Sequence, residues 1–360
     1  MIIRSLQLEN LRCFASQRFD LQSTFVVIQG NNGTGKTAIL ESLHYACYLR
    51  SFRTRAVRDL IQEGKEHCFV AVDFYQPRFA LEEKITVGVG RDLKKIIRLN
   101  EEPIQGYKEL LDHYRVVTLT ADDLQLISGE PEERRSFMNA AVLLQDPSHT
   151  ALFKEYNRAL ALRNAYLLQG RQTPSEEFKV WTQLFWEHSC AIQRIRQIYL
   201  AKVEEELQKL LADQFSGAVG KVTLKYLGKE LSDDNSDFEK FWHHYINHLF
   251  IRERDWQRTL FGAHLDDVAI LLDGRKARLF ASRGQQKLLA YLIKIVQVQE
   301  SIRAGNPAVF LVDDFLTDFD KDRARRCLEI IQQLATQVVL TIPIEYSTVF
   351  APQQAQIIQL

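Results

Sequence analysis

The sequence has no closely spaced cysteines, little proline or glycine, no surplus charge of either sign and no long apolar run. Each absence excludes a class of protein. Five Cys in 360 residues (Cys13, Cys47, Cys68, Cys190 and Cys327) stand singly with no CxxC, so neither a disulfide framework nor a thiolate metal centre is expected. Sixteen Gly and eight Pro are too few for a collagen-like or low-complexity chain. The opening MIIRSLQLEN mixes charge with apolar residues and offers no secretory core. No apolar run approaches the roughly 18 residues that span a bilayer. A cytoplasmic protein with no membrane partner is expected. Lys+Arg and Asp+Glu number 46 each, which excludes polyanion binding over the whole surface but leaves a local patch open. What remains, 46% hydrophobic and 26% charged residues, is ample for one large or two average globular domains.

Along the chain, β-prone Ile2-Ile3 and Leu6-Gln7-Leu8 lead through a turn and a strand to the apolar run Phe25-Val26-Val27-Ile28. A helix is expected next, with Ala38, Ile39, Leu40, Leu43 and Tyr45 on its apolar side. Strands are expected over 67–75, over 80–99 with breaks at Gly88 and Gly90, and over 114–119. From about 132 to 212 the apolar residues recur every three or four positions, predicting helices of roughly 15–35 residues. A strand at 222–227 and a helix near 237–258 follow. Then α/β alternation returns, with strands at 268–272, 309–312, 338–341 and 357–358 and helices from about 284 and 321. The fold class expected is α/β, a discontinuous domain (1–128 and 260–360) interrupted by a mainly helical one (129–259).

Gly30-Asn31-Asn32-Gly33-Thr34-Gly35-Lys36-Thr37 fits G-x-x-x-x-G-K-[ST]. Glycines let such a loop turn successive backbone N–H groups onto one phosphate, and the helix that follows adds its dipole. Lys36 would reach the β and γ phosphates and the Thr37 hydroxyl would help hold Mg²⁺. The plain alternative is a Gly-rich turn; the apolar run before it and the helical pattern after it favour the nucleotide. A phosphate loop needs a carboxylate at a second strand end, and Val309-Phe310-Leu311-Val312-Asp313-Asp314 supplies one. Four apolar residues suit a strand buried on both faces. Asp313 would hold Mg²⁺, and Asp314 stands where a general base could polarise a water. By itself an Asp pair after an apolar strand is common. Nearly 280 residues between Lys36 and Asp313, and the absence of NKxD, disfavour small GTPases and nucleoside kinases.

Ser282-Arg283-Gly284-Gln285-Gln286-Lys287 opens a helix shortly before the acid pair. Alone, the serine reads best as an N-cap. In the order phosphate loop, S-x-G-Q, acid pair, the sequence resembles the ABC-type ATPases. That resemblance implies that Ser282, Gly284 and Gln285 of one protomer meet the γ-phosphate held by another, and that residues 316–320 touch across the same interface.

LENLRCF, LESLHYACYLRSFRTRAVRDLI, VVTLTADDLQLISGEPEERRSFMN, YNRALALRNAYLL, GAHLDDVAILLDGR and ASRGQQK, in that order, make the chain similar to the RecF family of bacterial recombination mediators, relatives of SMC heads. The likeness covers essentially the whole chain. It implies an SMC-head-like ABC ATPase domain and an arginine, Arg12, that reaches the nucleotide. Three departures stand out. LTDFD replaces a serine-glutamate-leucine-aspartate run while keeping Asp320. Thr341 lies near where ABC transporters place a histidine. Gln125 comes late for the Q-loop position, which would leave Asp122 or Asp123 to position metal or water.

Arg50, Arg53, Arg55 and Arg58 fall within nine residues with no acid among them, a local +4, whereas residues 309–322 carry five Asp against Lys321, a local −4. A solvated charged face is the ordinary reading of such arginines; the family resemblance turns it toward DNA phosphates. Arg134-Arg135 and Lys94-Lys95 are weaker candidates. The resemblance implies an ATP-dependent homodimer that clamps duplex or gapped DNA, a weak DNA-dependent ATPase with Mg²⁺, and a role in loading recombinase at single-strand gaps with RecO and RecR. The competing readings are an SMC-like structural tether and a nuclease using His264, Asp266 and Asp267. For those three residues a polar turn is the favoured alternative.

Overall fold

The computed structural model describes residues 1–77, 79–104, 110, 114–215, 219–228, 237–314, 319–346 and 355–360. Two compact units result, one of Met1–Asp123 with Lys287–Leu360 and one of Leu124–Gln286. The second boundary therefore lies beyond residue 260, where the sequence placed it. Residues 260–286 stay with the helical unit because their strand pairs, residue for residue, with a strand near 222–227.

Among the described residues, eight strands come before the insertion: β1 (Ile2–Leu11), β2 (Phe14–Asp20), β3 (Phe25–Gly30), β4 (His67–Gln76), β5 (Leu81–Gly90), β6 (Lys95–Leu99), β7 (Glu102–Pro103) and β8 (Val116–Leu119). Within it lie β9 (Val222–Leu227), β10 (Asp267–Leu272) and β11 (Arg275–Lys276), and after it β12 (Val309–Val312), β13 (Val338–Pro343) and β14 (Gln356–Gln359). The longer helices among the described residues are α1 (Lys36–Tyr48), α2 (Pro131–Gln145), α3 (Thr150–Leu167), α4 (Glu176–Gln214), α5 (Phe238–His248), α6 (Phe250–Trp256), α7 (Arg283–Arg303) and α8 (Lys321–Gln332).

In unit one an antiparallel sheet, ordered β2-β1-β4-β5-β6-β7, accompanies a parallel sheet ordered β14-β3-β13-β12-β8. The two central parallel strands, VFLV and VVLTIP, are buried at every position, as strands covered on both faces must be. α1 is buried nearly all round, and its Ile39, Leu40 and Leu43 share one core with Leu6 and Leu8 of β1 and Val26 and Ile28 of β3. Such a helix buries its polar residues as well, and each then needs a partner. The Ser42 hydroxyl donates to the Ile39 carbonyl and His44 Nδ1 meets Thr118 Oγ1 at 2.8 Å. Glu41 binds arginine, as described below.

Unit two carries the three-stranded sheet β11-β10-β9 and the helices α2 to α6. α4 runs for 39 residues, longer than the spacing predicted, because neither Pro nor Gly interrupts it after its N-cap Ser175, whose side chain accepts the Phe178 N–H. An aromatic core that includes Phe178, Phe185, Trp186, Phe241, Tyr245 and Phe261 holds α3 to α6 together.

Two buried histidines set a pH limit. Burial, then Arg50 and Lys294, press His44 down to about 3, and burial above all holds His264, hydrogen-bonded to the Tyr156 hydroxyl, at about 4. A depressed histidine leaves stability intact above its ordinary 6.5 and removes it as pH falls toward the folded value, because only the unfolded chain takes up the proton. At pH 4.5 each is expected to cost its own unit about 2–3 kcal/mol relative to pH 7.5. His44→Gln should therefore flatten the pH dependence of the unfolding midpoint of unit one; an unchanged slope contradicts the assignment.

Candidate nucleotide site

The phosphate loop bridges β3 and α1 at the carboxyl edge of the parallel sheet, where ligands of open α/β sheets bind. Gly33 and Gly35 stand at φ +86° and +106°, values that a side chain strongly disfavours. A Cβ at Gly35 would also lie 2.6 Å from the Phe14 ring and 2.7 Å from Cys13 Sγ, so the turn between β1 and β2 packs directly on the loop. Asn31, Asn32 and Gly33 are exposed at its crest. Lys36 Nζ donates to the carbonyls of Gly30 and Asn31, both at 2.9 Å. These bonds use two of its three donors and centre the ammonium in the loop. The Thr34 hydroxyl donates to the Asn31 carbonyl at 3.0 Å and closes the turn.

The second strand end meets this loop. Pairing of Val312 with Leu340 and of Thr341 with Ile28 makes β13 the strand that separates β3 from β12. Asp313 Oδ1 accepts the Thr37 hydroxyl at 3.0 Å and the Thr341 hydroxyl at 2.9 Å, while Thr341 Oγ1 accepts the Asp314 N–H at 2.8 Å. Thr341 thus holds the Asp313 carboxylate and the Asp314 backbone at once. Burial raises the Asp313 pKa; the two hydroxyl bonds oppose that, and the neighbouring Asp314 adds to it. Thr37 Oγ1 and Asp313 Oδ1 are hard oxygen donors placed side by side, the ligand type that Mg²⁺ takes. The pair therefore fits Mg²⁺.

A cavity of about 320 Å³ opens over these groups, lined by Lys36, Thr37, Asp313 and Asp314 and also by Arg12 and Arg53. Arg12 sits at φ +51° in the β1–β2 turn. Its Nε and one terminal nitrogen donate to the two oxygens of Glu41 at 2.9 and 2.7 Å. Cations, loop amides and two carboxylates around one concavity are the chemistry of a metal-bound polyphosphate.

A sequence profile described as RecF/RecN/SMC N terminal domain matches residues 2–355. The DNA replication and repair protein RecF of Protochlamydia amoebophila is 31% identical over 350 residues, covering 95% of this chain and 94% of its own. The chain belongs to the RecF family. The RecF of Pelotomaculum thermopropionicum is 30% identical over 329 residues, covering 90% of this chain and 89% of its own. Among solved structures, the recombination mediator protein RecF with ATP, of the RecFOR pathway, has a TM-score of 0.83 at 23% identity, covering 95% of this chain and 92% of that one. An Smc head bound to the C-winged helix domain of ScpA follows at 0.56 and 15%, covering 95% and 90%. The fold is that of the SMC-head-like ABC ATPases.

Other residues that the RecF-family motifs single out take varied places. Ser282 and Gln285 form a reciprocal cap at the start of α7: Gln285 N–H donates to Ser282 Oγ at 3.3 Å and Ser282 N–H to Gln285 Oε1 at 2.9 Å. Ser282 itself is exposed, as is Arg283, and Gly284 is half-buried. Residues 316–318 of the expected interface loop lie outside the described residues. All four clustered arginines, Arg50, Arg53, Arg55 and Arg58, are exposed, and Arg53 also lines the cavity, 3.7 Å from Glu41. Arg53 thus stands both in the exposed basic run and at the cavity over the phosphate loop.

Neither Asp122 nor Asp123 is among the residues lining the described cavity. Asp123 accepts the Thr120 N–H at 2.8 Å and pairs with Lys294 at 3.1 Å. Arg134, buried, pairs with Asp267 at 2.7 Å, and Arg135 donates to the Asp266 carbonyl at 2.8 Å. Lys94 pairs with Asp92 and Lys95 donates to the Leu49 carbonyl. His264, Asp266 and Asp267 form the polar turn rather than a metal set: Asp266 is fully buried and accepts from Gln193, Arg196 and Tyr226. Glu41 is a residue at the site that the motifs do not single out. An acid in the apolar run AILESLHYAC was the available signal for Glu41.

Proposed function

We propose that the chain is an ATP-dependent DNA-binding clamp of repair and replication, with the cavity at the phosphate loop as its ATP site. The observation that carries this is the convergence of Lys36, Thr37, Asp313 and the two arginines on one concavity. The loop amides and Lys36 hold the β and γ phosphates, and Thr37 and Asp313 hold Mg²⁺, which when bound neutralises charge on the transferred phosphoryl group. Asp314, its backbone held by Thr341, orients and polarises the attacking water. The capped turn at Ser282 and Gly284, exposed at Ser282, completes the site of a second protomer, so that ATP drives a homodimer. Arg50, Arg55 and Arg58 neutralise DNA phosphates without reading bases. Weak DNA-dependent hydrolysis reopens the dimer. RecO and RecR are its partners in loading recombinase at single-strand gaps, a reading supported by the related mediator assigned to the RecFOR pathway.

Sedimentation velocity with and without ATP and gapped duplex DNA tests both halves. Wild type is expected to double its mass with ATP and to co-sediment with DNA. Ser282→Arg should weaken ATP-driven dimerisation by about 10-fold or more while leaving nucleotide affinity near wild type, since Ser282 is outside the described lining of the cavity of its own chain. An ATP-driven dimer in Ser282→Arg refutes the trans contact, and DNA left unbound in the presence of ATP refutes the clamp.

A further inference from the structure

We infer that Glu41 is the positioning residue that sets both cavity arginines for a polyphosphate. The inference rests on the nucleotide reading of the cavity and extends it to a residue that touches no ligand. The Glu41 side chain is 0% exposed and is not part of the cavity lining. Carboxylates are rarely so buried without cations. Two separate stretches of chain converge on this one. Arg12 grips both oxygens in a two-point fork, the Ser51 hydroxyl donates to Oε1, and Arg53 lies 3.7 Å from Oε2. The Ser51 hydroxyl also accepts the N–H groups of Arg53 and Thr54 at 2.9 and 3.1 Å, so the turn that aims Arg53 is tied to Glu41. Further along, Arg12 N–H donates to the Leu60 carbonyl and Gln62 N–H to the Asn10 carbonyl, both at 2.8 Å. The two arginine-bearing segments are thereby fastened to each other as well as to the helix.

The two guanidinium groups are held differently. Arg12, with its side chain 22% exposed, is locked by a bidentate pair. Arg53, 47% exposed at 3.7 Å, has a longer contact that a phosphate oxygen can replace. Glu41 therefore preorganises Arg12 and keeps Arg53 within reach, and one buried negative charge leaves the pair of arginines net positive for the incoming anion. Preorganisation of this kind raises affinity by cutting the cost of ordering side chains.

Charge and position predict opposite signs for Glu41→Gln, which makes the test decisive. Removing an anion beside a polyphosphate would tighten binding by charge alone; loosening two arginines would weaken it. Binding of a fluorescent non-hydrolysable ATP analogue with Mg²⁺ to the full chain is expected to fall by about 10-fold in Glu41→Gln, within the range for groups that orient a ligand-holding side chain. The double variant Glu41→Gln/Arg12→Ala should fall short of the product of the single losses, as for two residues acting through one contact. Arg12→Lys keeps the charge but not the fork and should also lose affinity, a readout that survives if Glu41→Gln does not fold. Wild-type or tighter binding in Glu41→Gln, fully multiplicative losses, or wild-type binding in Arg12→Lys overturns the role of Glu41 and leaves the ATP site standing. If the wild-type chain does not bind the analogue, or Lys36→Ala binds it equally well, the nucleotide reading falls, and this inference falls with it.

Discussion

Asp313→Asn is expected to lower ATP hydrolysis on the order of 100-fold or more while raising the thermal unfolding midpoint of the nucleotide-free chain. The two effects have one cause. Asp313 Oδ1 accepts hydroxyls from Thr37 and Thr341, bonds that an amide oxygen also accepts. What the amide lacks is charge. Burial raises the pKa of this carboxyl, with Asp314 adding to the effect, so its contribution to stability is greatest below the ordinary 3.8 and is lost as pH rises through the folded value. At neutral pH the folded chain therefore holds the ionised group at a cost, and Asn removes that cost. The same ionised oxygen is what Mg²⁺ requires. Melting at pH 7.5 without ligand and steady-state hydrolysis with Mg²⁺ and ATP measure the two halves. A lower midpoint or near-normal turnover in the variant would contradict the place given to Asp313. Added Mg²⁺ and ATP should stabilise wild type by mass action and stabilise the variant much less.

That trade changes the meaning of the neutral composition. The arginines of residues 50–58 and the acids after residue 312 look like opposed sites in the sequence. The structure brings one member of the basic run, Arg53, into the same cavity as Asp313 and Asp314, and Arg53 is among the groups that lower the Asp313 pKa. Part of the balance is therefore compensation within one site.

What could be read from the sequence follows from how local each signal is. The phosphate loop is eight contiguous residues whose glycines and flanking strand and helix carry their own geometry, and it folds as read. The acid pair was legible because VFLV has no polar residue and must end at a polar edge. That Arg53 also lines the cavity is not written in a run of arginines; the Ser51 hydroxyl, accepting two backbone N–H groups, sets the turn from which Arg53 comes within 3.7 Å of Glu41. Glu41 becomes legible only once α1 is known to be buried on every side, which depends on two sheets that the sequence does not place relative to the helix. The unit boundary was missed for a similar reason. β9 and β10 pair across 40 residues, and no local pattern reports which strand a strand will meet.

Glu253→Gln is expected to cost unit two about 3–5 kcal/mol, the usual penalty for stranding one partner of a buried ion pair. Arg163 of α3 and Glu253 of α6 are both 0% exposed and meet at 2.6 Å. Glu253 also accepts the Tyr245 hydroxyl at 2.7 Å and the Leu260 N–H at 2.6 Å. The guanidinium lies 4.8 to 5.3 Å from the rings of Phe178, Phe185, Tyr245 and Phe261, so no water can replace a lost carboxylate. Arg163→Met removes the stranded cation while filling much of its volume. The pair Arg163→Met/Glu253→Gln should therefore recover at least about 2 kcal/mol relative to the sum of the single losses. A multi-unit chain does not give one unfolding free energy, but this one offers a clean probe. Its four Trp, Trp181, Trp186, Trp242 and Trp256, all belong to Leu124–Gln286, so tryptophan fluorescence in a denaturant titration follows unit two alone. A Glu253→Gln midpoint within experimental error of wild type, or additive losses in the double variant, would show that the aromatic core holds unit two without the ion pair. A large single loss with recovery in the double variant would show that the pair is needed mainly because each charge is already buried, the expected result for an ion pair enclosed by four rings.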